Sequence, residues 1–367
     1  MEKRKNFRFS NTGNAFLLAF GTYYAVSLIY QSLSTAFFPN LKIGLWLTYL
    51  INPCVFVGTM IWYSRKKNVD FVVATRLNGK LNAKQIGIIA LLSIFCIMAF
   101  LPISNIFLEI LHRLGYNFSL SLPDTNENIG MLLLGILFLA VLPAFSEEVL
   151  MRGVVLNCAE QKRDYSYAIV LTAAMFSLMH GNAIQTVHQF LLGMVLAYIV
   201  IASKSLWAGI ILHFLNNFLS IVLDYPVNWF LRLINAQALP DFAVVIIWLI
   251  SIAVGCTTVV YLLKKFTSVS RDKAQFNDVE IIDVYPEGKG KAVKNEFTQS
   301  FIQIIHIFKK GGLKRAFSDI NSALGEVAPM PEPDEPTRED LYPSNVKLVF
   351  IILSVIWVLT LILGFIQ

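Results

Sequence analysis

Charge is scarce in this chain: 15% of its 367 residues are Asp, Glu, Lys or Arg, where a soluble domain carries roughly 25%. That shortage excludes an ordinary soluble globular protein. Cysteine is equally thin. Cys54, Cys96, Cys158 and Cys256 are scattered through apolar surroundings without paired spacing, so neither a disulfide framework nor a zinc knuckle is implied. A His-Glu-x-x-His helix is missing, which removes the usual metalloprotease site. No internal repeat of the kind common in transporters is visible. The first apolar run is too long for a signal-peptide core and reads as a retained span. What is present is hydrophobic sequence: 56% of residues, a mean hydropathy of +0.61, and runs of about 20, the length that crosses a bilayer as helix.

The expected fold is an all-α polytopic membrane bundle of about eight or nine transmembrane helices. The candidate spans cover residues 16–37, 43–62, 86–107, 130–145 with an extension, 168–179, 190–201, 206–222, 242–263 and 346–366. Orientation follows the Lys and Arg bias of short loops. Lys3, Arg4, Lys5 and Arg8 precede the first span, and Arg65, Lys66, Lys67, Arg76, Lys80 and Lys84 follow the second. Lys162 and Arg163, then Lys204, then Lys264 and Lys265 continue the series, whereas the alternate loops hold only Lys42, Arg113 and Arg232. The N-terminus is therefore expected in the cytoplasm, in the plasma membrane if the source is bacterial. The net charge of +6 is a by-product of that bias and implies no nucleic-acid partner.

The organisation expected is N-terminal scaffold helices over 1–125, a polar-lined core over 126–225, an eighth helix over 226–264, a cytoplasmic tail over 265–345 and a last helix over 346–367. The tail mixes charge, Gly and Pro, as at 286–291 and 328–336, and reads as a flexible linker. Within it, Phe301, Ile304, Ile305 and Phe308, with Lys309, Lys310, Lys314 and Arg315 nearby, allow an amphipathic basic helix over 297–317 on an anionic membrane surface. The tail is expected to bind that surface or a cytoplasmic partner.

Against this background Glu147 and Glu148 stand side by side, with Arg152 just after them. Ionisable groups at membrane depth are costly and usually line an internal site. On a helix Glu148 and Arg152 stack four residues apart and can pair, while Glu147 is rotated about 100° and points elsewhere. His180 lies on another span, and His213 and Asn217 share one face of a third. A carboxylate, two imidazoles and a carboxamide suit hydrolysis. The carboxylate takes a proton from water, and histidine and asparagine donate to the oxyanion that forms. The same set can instead hold a metal. Each residue also has a bland reading: a helix-stabilising Glu148–Arg152 pair, or His and Asn as interhelical glue. His188 reads as a span-end residue with a solvated or packing role. Phe190, Gly193 and Ala197 read as a close-packing face.

These motifs, Glu147-Glu148-x-x-x-Arg152, Phe176-x-x-x-His180 and His213-x-x-x-Asn217 in that order, resemble the CAAX protease and bacteriocin-processing family of intramembrane proteases. It is also called the Abi-type or type II CAAX endopeptidase family. The resemblance covers roughly residues 130–224, about a quarter of the chain. It implies a helical bundle with a chamber open to the cytoplasm, in which Glu147 and His180 activate water and His213 and Asn217 stabilise the oxyanion. Glu148 and Arg152 would act as supports. Either no cofactor is required or one zinc ion is held, in which case His180, His213 and Glu147 are its candidate ligands. The implied partners are the lipid bilayer and a membrane-associated peptide or protein substrate, with a prenylated CAAX-type C-terminus suggested by the family label.

Two other classes compete: a non-catalytic immunity or scaffold protein that retains the motifs, and a proton-coupled transporter. One geometric conflict stands out. At 1.5 Å per residue, His213 lies about 13 Å beyond Lys204, whereas His180 lies about 21 Å beyond Ser166. A straight helix puts His180 too deep unless the helix is tilted, starts later or breaks near Gly181.

Overall fold

The computed structural model describes residues 6–37, 43–118, 123, 125, 127–162, 164–223, 240–276, 289–307, 311–328 and 344–366. Lys3, Arg4, Lys5, Lys42, Arg163, Arg232, Phe308, Lys309 and Lys310, and the proline-rich stretch 329–336, lie outside the described residues.

Every regular element among the described residues is helical. The principal ones are α1 (Thr12–Phe37), α2 (Ile43–Lys66), α3 (Ala83–Arg113), α4 (Ile129–Glu160), α5 (Tyr165–Leu178), α6 (Ala183–Ser203), α7 (Leu206–Val222), α8 (Asp241–Phe276), α9 (Lys289–Ile307), α10 (Gly312–Val327) and α11 (Val346–Ile366). Six of them, α1, α3, α4, α6, α8 and α11, are long and apolar enough to cross a membrane. α5 and α7 are apolar but shorter. α2, expected as a full span, runs as one helix through Pro53 and is not among the six. The chain is an integral membrane protein with this helical core.

Local chemistry sets the ends. Asn82 and Gln85 form a reciprocal capping box that starts α3, satisfying donors that a helix otherwise leaves orphaned. Asp164 caps α5 through the Tyr167 amide, and Asn182 caps α6 through Gln185. α3 packs against α6, α7 and α8, α5 lies along α6, and α4 contacts α2 and α7. Lipid tails are as apolar as the side chains they meet, so this association depends on close packing and buried polar links.

Two sets of links define the ends of the bundle. At one, Phe7 N donates to Asn157 Oδ1 at 2.9 Å, Arg76 pairs with Glu160, Ser205 Oγ donates to Gly79 O at 2.9 Å, and Asn345 Nδ2 donates to Asn14 Oδ1 at 2.6 Å. At the other, Asn117 N donates to Gly364 O at 2.8 Å. Segments grouped by their basic loops in the sequence are thus gathered at the same end.

The tail differs from the expected linker with one amphipathic helix. α8 continues to Phe276, and the tail contains two helices separated at Gly311, whose φ is +79°. α10 is docked: Leu324 and Val327 are buried, Tyr165 Oη donates to Ala328 O, and Ser166 Oγ donates to Phe317 O at 2.8 Å.

Candidate active site

The site is built around irregularities in α4. Two π-helical stretches, Ile136–Val141 and Val149–Val155, flank the α-helical turn Leu142–Glu148. Such bulges often mark functional positions because they re-aim side chains without ending the helix. Pro143 lacks the N–H that an α-helix would direct at the Leu139 carbonyl. Asn217 Nδ2 donates to that carbonyl at 3.3 Å.

Glu147 and Glu148 end that turn and face different partners. Glu148 Oε1 accepts from Arg152 Nη1 at 2.7 Å and from His213 Nδ1 at 3.0 Å. All three side chains are buried. Arg152 also donates through Nη2 to Gly193 O at 3.2 Å and lays its guanidinium 4.3 Å from the Phe176 ring centroid, a cation–π contact. Charge, hydrogen bonds and aromatic face together compensate the desolvation of a buried pair.

Small residues make this room. A Cβ at position 209 would lie 2.6 Å from Glu148 Oε2, and one at 193 would lie 3.1 Å from Ala173 Cα. The Gly193 face is therefore a close-packing seam between α5 and α6, and Gly209 leaves space for the carboxylate.

Glu147 is buried and turns toward α2 and α7. Its Oε1 accepts from Asn52 Nδ2 at 3.3 Å, and its Oε2 lies 4.0 Å from His213 Nε2. His213 thus bridges the two glutamates, one with each ring nitrogen. Because Nδ1 meets a carboxylate, it carries the hydrogen.

His180 enters from α5, which ends at Leu178. Gly181 follows with φ +62°, a conformation glycine adopts without a Cβ penalty. A break near Gly181 is thus present, and His180 sits at the end of a helix too short to span a bilayer. Its Nδ1 is 2.8 Å from Phe176 O; a carbonyl only accepts, so Nδ1 bears the hydrogen and Nε2 is bare. Asn182 Nδ2 donates to His180 O at 2.9 Å and holds the turn. Phe176 stands edge-on to both imidazoles, with centroids 5.1 Å from His180 and 5.6 Å from His213. His180 also lies within the electrostatic reach of Glu147, His213 and Arg152.

The structure therefore gathers Glu147, Glu148, Arg152, His180 and His213, while the amide of Asn217 is engaged one turn away on Leu139. It also contains a residue the sequence reading left out. Asn52 reaches Glu147 from α2; its only sequence signal is a polar residue beside Pro53 in an apolar run. His188, read as a span-end residue, lies 3.3 Å by Nε2 from Nδ2 of buried Asn216 and stands edge-on to Phe100. Among the described residues, no three His, Cys, Asp or Glu side chains converge as a metal-binding group. Both histidines of the expected zinc set, His180 and His213, commit Nδ1 to protein acceptors, which leaves Nε2 of each as the nitrogen a metal would use.

Residues 129–219 match the family model described as type II CAAX prenyl endopeptidase Rce1-like. The match covers about a quarter of the chain and includes all three motifs and the two π-helical stretches. This segment is an Rce1-like domain, consistent with the CAAX protease and bacteriocin-processing family, and that family is one of peptidases. No curated protein and no solved structure matches the chain.

Proposed function

We propose that this protein is an intramembrane endopeptidase that hydrolyses peptide bonds of membrane-associated substrates, prenylated CAAX-type chains among them. The observation that carries this reading is the meeting of Glu147, His213 and His180 beside the buried Glu148–Arg152 pair, within a peptidase-family domain.

In this reading the scissile carbonyl and the attacking water meet beside the gap between Glu147 Oε2 and His213 Nε2, which lie 4.0 Å apart. Glu147, assisted by bare Nε2 of His180, takes a proton from water as its oxygen bonds to the carbonyl carbon. The displaced electron pair moves to the carbonyl oxygen, and His213, protonated on Nε2, donates to it. Asn217 joins when it exchanges its bond to Leu139 for one to substrate. The C–N bond then breaks, and the proton held by Glu147 passes to the leaving nitrogen. No step is routed through a metal.

The end of the bundle bearing Arg76, Lys204 and α10 is assigned to the cytoplasm from its excess of Lys and Arg, and the chamber is assigned to the same side. Phe301, Ile302 and Ile305 of α9 are exposed and are assigned to the membrane surface.

The test is cleavage by purified protein in liposomes over prenylated and unprenylated membrane-anchored peptides, with Glu147→Ala and His213→Ala alongside. Cleavage lost in both variants supports the reading. Cleavage that survives both overturns the site, and absence of cleavage on every peptide overturns the function for these substrate classes.

A further inference from the structure

The geometry points to Asn52 of α2, outside the matched domain, as a positioning residue that orients the base Glu147. Its kinetic consequence rests on the endopeptidase reading above.

The carboxamide that touches the carboxylate is Asn52's. Its Nδ2 donates to Glu147 Oε1 at 3.3 Å, whereas Asn217 Nδ2 is committed to Leu139 O at 3.3 Å. Ser146, beside Glu147 and buried, donates its one hydroxyl hydrogen to Leu142 O at 2.9 Å. A carboxylate only accepts, so the Asn52 amide presents its N–H side to Glu147. Pro53, next in the chain inside α2, has no N–H to give the Tyr49 carbonyl.

The division of labour at Glu147 follows. Oε1 is occupied by Asn52, and Oε2 faces His213 across the reacting gap. Without the Asn52 bond the carboxylate is free to rotate about its last torsion, which is broad and two-fold, and the basic oxygen is no longer held toward water. The charged or titratable groups around position 52 are Glu147 and, through it, Tyr23, His213, His180 and Arg152.

Two experiments decide this. In the first, Asn52→Leu and the near-isosteric Asn52→Asp are compared with wild type in cleavage assays. Asn52→Leu is expected to lower kcat about 100-fold, the cost of misplacing a reacting group by about an ångström, with KM within about threefold. Asn52→Asp is expected to gain activity relative to wild type as pH falls, because the introduced carboxyl group donates to Glu147 once protonated and repels it when ionised. A kcat within twofold of wild type for Asn52→Leu, or identical pH profiles for the two variants, overturns the assignment.

The second experiment needs no turnover. In substrate-free vesicles the Glu147 carboxylate stretch is located by infrared difference against Glu147→Gln. It is expected to shift in Asn52→Leu and not in Asn217→Leu. An unshifted band in Asn52→Leu overturns the assignment whatever the protein cleaves, while a shift in a protein that cleaves nothing overturns the endopeptidase reading alone.

Discussion

His213 and Arg152 meet on one oxygen: Oε1 of Glu148 lies 3.0 Å from the imidazole Nδ1 and 2.7 Å from the guanidinium Nη1. The second oxygen of Glu148 has no protein partner. A support residue is thereby tied to a reacting one, and the tautomer of His213 is set by a carboxylate that never faces the gap. Arg152→Met would leave Glu148 buried without its guanidinium partner, a change that costs about 3–5 kcal/mol. We expect a clear fall in thermal unfolding temperature in detergent for Arg152→Met, and recovery of most of it in the Glu148→Leu/Arg152→Met double variant, which would be inactive. A double variant no more stable than the single one would contradict a purely electrostatic penalty.

Gly209 offers a sharper test of the same carboxylate. Its added Cβ would stand 2.6 Å from Glu148 Oε2 and 2.9 Å from Val200 Cγ2, so something must move on a helix packed against α4 and α6. Gly209→Ala is expected to displace Glu148 and with it His213, cutting kcat about 100-fold. Gly193→Ala, whose nearest contacts begin at 3.1 Å, should lose much less. Equal activity in the two variants would sever the link from Gly209 through Glu148 to His213.

The sequence carried the Glu148–Arg152 pair because helical spacing alone stacks residues four apart and rotates Glu147 away. It could not carry where α5 ends, at Leu178 just before His180, since apolar periodicity does not mark the turn at Gly181. Asn52 was invisible for a different reason: its partner lies 95 residues further along the chain, and periodicity reports only neighbours. Of the two roles the sequence left open for His188, solvated or packing, the structure shows packing: its Nδ1 is buried and it meets Asn216. In the tail, composition registered Gly and Pro but not that Leu324 and Val327 are buried in a docked helix.

Chelation gives a third prediction. With no three-ligand group among the described residues, cleavage should persist after prolonged treatment with a strong zinc chelator and exhaustive dialysis. Activity that disappears on chelation and returns on adding zinc would require a rearranged His180–His213–Glu147 set.

The last prediction concerns the far end of α5, the helix that carries Phe176 and His180. Its first turn is closed by the tail: Asn321 Oδ1 accepts from Ser166 N at 2.9 Å, and Asn321 Nδ2 donates to Asp164 Oδ1 at 3.0 Å. An amide at a helix start has no intrahelical partner, so α10 supplies what α5 lacks. Asn321→Leu removes both bonds, worth about 1 kcal/mol each, and Leu324→Asp puts a charge where a fully buried leucine stood, a larger cost. Hydrogen exchange should accelerate in α10 and the first turn of α5 for Asn321→Leu, and further for Leu324→Asp, while α3 and α6 keep their protection. Acceleration confined to α10 would mean that α5 holds its own cap through Asp164, and the tail would then be a passenger on the bundle rather than a brace for the helix that delivers His180.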